Sequence, residues 1–190
     1  MSIELIYTIG YGSRTMSAFV DLLIAAEIDY LIDVRSKPYS SFKPDFSRAN
    51  LEAELDRQSI RYVHMGDALG GLPKNPAVYT QDGKVDYSKV GEKEFYISGI
   101  ERLTSALSQG FSIAIMCSEE KPERCHRSKL IGETLAGLGI EVIHIDEQGE
   151  LLTQSEVMLR LTSGQMTMFD EVDPRHSSRK SYKPELDDDA

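Results

Sequence analysis

Cysteine is scarce in this chain, with two among 190 residues, so no disulfide framework can hold it together. In a reducing compartment such a pair is expected as thiols. Long apolar runs are missing as well, and none approaches the length a bilayer requires. The first residues lack the charged-then-apolar pattern of a secretory signal, so the reading predicts a cytoplasmic protein with no membrane partner. Positive charge is in deficit. The formal net charge of −10 disfavours broad, non-specific binding to nucleic acid, because the protein's own field repels phosphates. A local basic patch can still overcome that field. Apolar residues make up 41% of the chain, enough for one domain with a full-sized core.

Strand-like and helix-like segments alternate along this core. Residues 5–9, 30–34, 60–63, 111–116 and 140–145 are short runs rich in strand formers. Helical spacing of apolar residues predicts helices near 15–26, 48–58, 90–108, 125–138 and 152–161, the first capped by Thr15 or Ser17. Residues 66–89, with their glycines and prolines, read as a long loop. The alternation predicts a single three-layer α/β domain over residues 1–163, with a mainly parallel sheet of about five strands and helices on both faces. After residue 164 the composition turns polar, and 164–190 reads as a flexible tail.

A parallel sheet gathers the residues just past its strand ends along one edge. That edge would collect Gly10 to Ser13, Asp33 with Arg35, His64, Cys117 with Glu119, and His144. The most concentrated stretch is 113–127, where an apolar strand stops at Cys117, a charged loop follows, and Cys125, His126 and Arg127 open a helix. Arg124 and Arg127 at a helix start suggest an anion seat. Cys125, flanked by these cations, would either have a stabilised thiolate or simply cap the turn. Cys117 reads equally well as a buried strand residue. The spacing matches neither a paired Cys-x-x-Cys metal signature nor a phosphatase Cys-x5-Arg cradle. Adjacent Cys and His rarely reach one ion, so no metal is expected. Between Arg35 and Arg48, the cations Lys37 and Lys43 alternate with Tyr39, Phe42 and Phe46, a pattern that suits a nucleotide or single strand, or a lid packed on the core.

Thr8-Ile-Gly10, Asp33-Val-Arg35 with Pro38 and Ser40, Leu69-Gly-Gly71, and Cys117-x-Glu119 followed by Cys125-His-Arg127 resemble, in this order, the domain-of-unknown-function family 488. The resemblance covers roughly residues 5–146. It departs at Tyr11 and Gly12, where family members often carry His and Ser. It implies an α/β fold and a shared cleft at the strand ends, and it names no reaction and no cofactor. Residues 165–169, Gln-Met-Thr-Met-Phe, are similar to the bacterial sliding-clamp-binding peptide, with Gln165, Met168 and Phe169 as its anchors.

Three functions follow as expectations. The leading one is an enzyme of nucleotide or nucleic-acid metabolism, with Asp33 or Glu119 as acid or base and Cys125 as a thiolate. Gly10, Arg35, Ser40, Arg124, His126 and Arg127 would line its anion-binding or substrate-binding cleft. The second is a non-catalytic nucleotide- or nucleic-acid-binding module recruited to the sliding clamp by its tail. The third is a redox sensor that joins Cys117 to Cys125 under oxidation.

Overall fold

The computed structural model describes residues 4–162 and 175–182. Six strands form one sheet: β1 (Leu5–Gly10), β2 (Tyr30–Asp33), β3 (Arg61–His64), β4 (Ile113–Cys117), β5 (Glu141–Ile145) and β6 (Leu151–Thr153). Their spatial order is β3-β2-β4-β1-β5-β6, and all neighbours are parallel except β5 and β6. Residues 152 and 153 read from sequence as the start of the last helix, but 151–153 form β6. They pair antiparallel with β5, because Asp146 Oδ1 accepts the backbone N–H groups of Gln148 and Glu150 and turns the chain back.

The helices are α1 (Met16–Ala25), α2 (Arg48–Arg57), α3 (Gly66–Leu69), α4 (Tyr87–Gly91), α5 (Glu94–Ser108), α6 (Glu133–Gly137) and α7 (Gln154–Thr162). Thr15 caps α1 by accepting from the Ala18 N–H, which satisfies one of the donors a helix start leaves open. The expected helix from 90 to 108 is two helices, α4 and α5, and α4 begins at an Asp86 cap within the stretch read as loop. The helix expected from Cys125 starts later and differently: Arg127–Gly132 is a π-helical turn that leads into α6.

Alternation along each strand divides the core in two. Ile9, Leu31, Ala114 and Met116 face α1 and α2, through Phe19, Leu23, Leu51 and Leu55. Ile6, Ile32, Ile113, Ile115 and Cys117 face α5 and the π turn, through Ile100, Leu103, Leu130 and Ile131. Each fully buried Leu, Ile or Phe here contributes roughly 1.5–3 kcal/mol. β4 lies between β1 and β2. Its outgoing chain leaves toward one face while those of β1 and β2 leave toward the other, so a crevice opens at the carboxyl ends of these three strands.

His144, placed at this edge by sequence, is a core residue. It lies opposite Thr8 across the β1–β5 pair. Its Nδ1 accepts from the Thr8 hydroxyl at 2.7 Å, and its Nε2 donates to Gln154 Oε1 at 2.6 Å, which makes it the neutral Nε2–H tautomer. Burial lowers its pKa from 6.5 to about 4, and Arg127 adds to the effect against the opposing Gln154 bond. Between those two values the unfolded chain binds a proton that the folded chain refuses. The His144 contribution to stability is therefore complete above pH 6.5 and is lost as pH falls toward 4, about 3 kcal/mol in all. Urea unfolding from pH 7 to 4 should show this decline, and His144→Gln should flatten it. An unchanged slope in the variant would remove His144 as its source.

Residues 175–182 lie against the body, so the expectation of a flexible tail does not extend to them. Asp86 and Ser177 form a β-bridge, Tyr182 N–H donates to the Gly83 carbonyl at 2.7 Å, and Lys129 Nζ donates to the Ser177 carbonyl at 2.7 Å. Gln165, Met168 and Phe169 lie outside the described residues. No helix among the described residues is long and apolar enough to cross a membrane.

Candidate functional site

The crevice is a cleft of about 330 Å³ at the ends of β1, β2 and β4, walled by the loops after those strands, by Gly71 and Leu72, and by residues 178–182. Of the residues singled out from sequence, Arg35, Lys37, Tyr39, Cys117, Glu119, Arg124, Cys125 and His126 are among those that line it. The structure places Gly10, Asp33, Ser40 and Arg127 behind its walls, where each supports the cleft without facing it.

Asp33 ends β2 fully buried. Its carboxylate accepts from Arg35 Nε at 2.9 and 3.1 Å, from a terminal Arg35 nitrogen, from the Arg35 backbone N–H at 3.0 Å and from the Tyr62 hydroxyl at 2.7 Å. With its lone pairs filled, Asp33 is an anchor for Arg35, and the acid/base role read from sequence lacks a free oxygen. Burial alone would lower the Arg35 pKa, but the Asp33 carboxylate more than reverses that and raises it. Tyr62 is pushed up by burial and by the same carboxylate. Arg35 also donates to the Phe46 carbonyl at 2.8 Å and sits over the Tyr11 ring. Its charge is thus already neutralised where it borders the cleft.

Arg127 was expected at an anion seat. It is 0% exposed and donates to the backbone carbonyls of Glu119 and Glu120. This pins the loop after β4 from beneath. Gly10 permits the same approach: a Cβ there would collide with the Glu119 carbonyl and crowd the Arg127 guanidinium at 2.9 Å. Ser40 Oγ accepts from the Tyr11 hydroxyl at 3.3 Å and from the Lys43 N–H at 3.1 Å, fastening the loop after β2. Phe46 of that loop is core, stacked on Tyr11 with 4.4 Å between ring centroids. Tyr39 borders the cleft and is 72% exposed.

The floor carries Cys117, Cys125 and His126, all buried, and both thiols are free. Cys125 does not sit in a helix. It closes a short 3-10 turn in extended conformation (φ −112°, ψ 149°), and His126 then turns helical (φ −62°, ψ −21°). His126 Nδ1 lies 3.6 Å from Cys125 Sγ and 4.0 Å from Cys117 Sγ, while its Nε2 is buried without a hydrogen-bond partner. Cys125, read from sequence as a candidate thiolate, lies beside Cys117, and the two thiols shift each other in opposite directions. A hydrogen bond from Cys125, helped by His126 and Arg127, holds the Cys117 thiol well below its usual range against the effect of burial. Burial first, and then the neighbouring Cys117, push Cys125 up. Cys117 was half-legible from sequence because a strand-end cysteine also reads as core.

Around this floor stand Lys37, Arg124, Arg179 and Lys180, with Tyr11, Tyr39, Tyr87 and Tyr182. Glu119 is the carboxylate of the lining and pairs with Arg179 at 3.2 Å. Burial, and then the two cysteines, raise the Tyr87 pKa. The wall from Ser178 to Tyr182 was missed by the sequence reading, although a signal was there: Arg175, Arg179, Lys180 and Lys183 cluster in an otherwise acidic stretch.

The profile of a family described as "Domain of unknown function DUF488" matches residues 15–133. No curated protein and no solved structure matches the chain. The matched segment runs from α1 through the π turn and holds the loops after β2 and β4, with the Cys-His-Arg element that forms the cleft floor. On that match, which spans more than half of the chain, the protein belongs to the DUF488 family.

Proposed function

We propose that the cleft binds a phosphate-bearing nucleotide, free or at the end of a single strand, and that the protein is an enzyme of nucleotide or nucleic-acid metabolism. One observation carries this reading. In a chain of net charge −10, the lining of a single cleft brings Lys37, Arg124, Arg179 and Lys180 together, with Glu119 as the carboxylate among them. Arginines at a cleft mouth suit phosphate oxygens because their paired N–H groups bond two at once. Tyrosine faces supply a stacking surface that any base can use. The volume falls at the lower end of the range for small-ligand sites, about 300–1,000 Å³. Buried thiols and an imidazole beneath the ligand position are what makes catalysis, beyond mere binding, the favoured reading.

The exposed arginines make the sharpest test, since neither supports the fold. Arg124→Ala and Arg179→Ala should each weaken binding of a nucleotide about tenfold or more, the scale of one charge-assisted hydrogen bond, and leave the melting temperature of the free protein unchanged. Titration of wild type and variants against mono- and dinucleotides and short single strands would read this, and affinity should fall as salt rises. Wild type showing no affinity for any member of the panel would refute the proposal.

A further inference from the structure

We propose that Cys117, Cys125 and His126 form a three-ligand site for a thiophilic divalent cation of the zinc class, at the floor of the cleft, with a fourth coordination position open to the cleft. The two sulfurs and the imidazole nitrogen lie within 4.8 Å of one another, and all three residues are buried. In a tetrahedral zinc site, Zn–S near 2.3 Å and Zn–N near 2.0–2.1 Å place sulfur and nitrogen about 3.6 Å apart. The observed separations from Nδ1 are 3.6 and 4.0 Å, so one meets this spacing and the other is within a few tenths of an ångström of it.

Adjacent residues seldom converge on one ion, and the expectation of no metal rested on that. Here the backbone changes from extended at Cys125 to helical at His126, and this break swings the two neighbouring side chains to one side. Hydrogen bonding does not account for the imidazole's position: Nδ1 meets only sulfur, at long range, and Nε2 meets nothing among the described residues. A cation between the three donors would replace these two long sulfur contacts at Nδ1 with bonds of ordinary strength. Gly71 keeps the ligating edge of the ring clear, because a Cβ there would lie 2.8 Å from Nδ1. This explains the second glycine of Leu69-Gly-Gly71.

Two thiolates with one imidazole select soft cations over magnesium or calcium. No fourth His, Cys, Asp or Glu donor joins the cluster among the described residues. Three protein ligands with one open position is the arrangement of catalytic zinc sites, whereas structural sites close with four. The cation would stand where a ligand held by Arg124 and Arg179 reaches the floor.

The test uses the full chain, stripped of metal under reducing conditions and titrated with zinc in competition with a chromophoric chelator, then separately with cobalt(II). Expected are one equivalent bound per chain and a cobalt spectrum with thiolate-to-metal charge transfer and the intense visible bands of a tetrahedral centre. Cys117→Ser, Cys125→Ser and His126→Gln should each weaken uptake by more than the roughly 10–100-fold that loss of an outer partner brings. The wild-type cobalt spectrum decides the matter even if one variant fails to fold. Absence of stoichiometric uptake, a spectrum without thiolate bands, or wild-type affinity in all three variants would overturn the proposal. The site lies in the cleft assigned above but is read with metal alone. A failure here leaves the nucleotide titration standing, and the reverse holds as well.

Discussion

Asp33→Ala is expected to lower the free energy of unfolding by about 3–5 kcal/mol, the range found when one partner of a buried ion pair is removed. The variant strands Arg35, a buried cation whose principal counter-charge is the Asp33 carboxylate. It also deprives the Arg35 backbone N–H and the Tyr62 hydroxyl of their acceptor. Urea denaturation would register the loss as a lower midpoint. Two controls separate the causes. Tyr62→Phe should cost only about 1 kcal/mol, the net value of one hydrogen bond. A double replacement of Asp33 and Arg35 by apolar residues should recover much of the stability, because no uncompensated charge remains. If Asp33→Ala unfolded at the wild-type midpoint and lost only ligand binding, the acid/base role would have to be restored to this residue.

The second large effect is expected at Arg127. Arg127→Ala removes a fully buried guanidinium and leaves the Glu119 and Glu120 carbonyls without their donors. A hydrogen bond from a charged donor is worth roughly 1.5–3 kcal/mol, two such bonds to part-buried carbonyls are lost, and truncating so large a side chain leaves a cavity besides. A destabilisation of about 3 kcal/mol or more follows. The loop that presents Glu119 and Arg124 would also lose its support, so nucleotide affinity should fall together with stability. Arg127→Lys should retain less than half of the lost stability, since one ammonium cannot span two carbonyls as a planar fork does. Stability equal to wild type in Arg127→Ala, with affinity alone abolished, would identify a direct ligand contact instead.

These two residues show what was legible in the sequence and what was not. Topology placed both at the right edge, since the strands read at 5–9, 30–34, 111–116 and 140–145 are parallel neighbours in the sheet. Strand existence depends on local composition, and the five runs were visible. Side-chain direction depends on tertiary neighbours and was not. Asp33 and Arg127 could as well have pointed outward. They turn inward because Arg35 and Tyr62 complete one, while the Glu119–Glu120 backbone takes both terminal nitrogens of the other. The sixth strand escaped notice because Leu151-Leu-Thr153 is too short to show a period. The geometry of Cys125 and His126 also could not be foreseen, for a break from extended to helical backbone leaves no mark in residue spacing.

The strap of residues 178–182 gives the molecule an order of assembly. It reaches the cleft from the far side of the chain, with Ser177 opposite Asp86 and Arg179 opposite Glu119. During biosynthesis those residues emerge only after the whole α/β body, so the sheet can form while the cleft still lacks a wall. Contacts at such separation in sequence are also slow to close. On the proposed function, nucleotide binding would then await translation of the strap, and a chain interrupted before it would lack the Arg179 and Lys180 wall of the cleft.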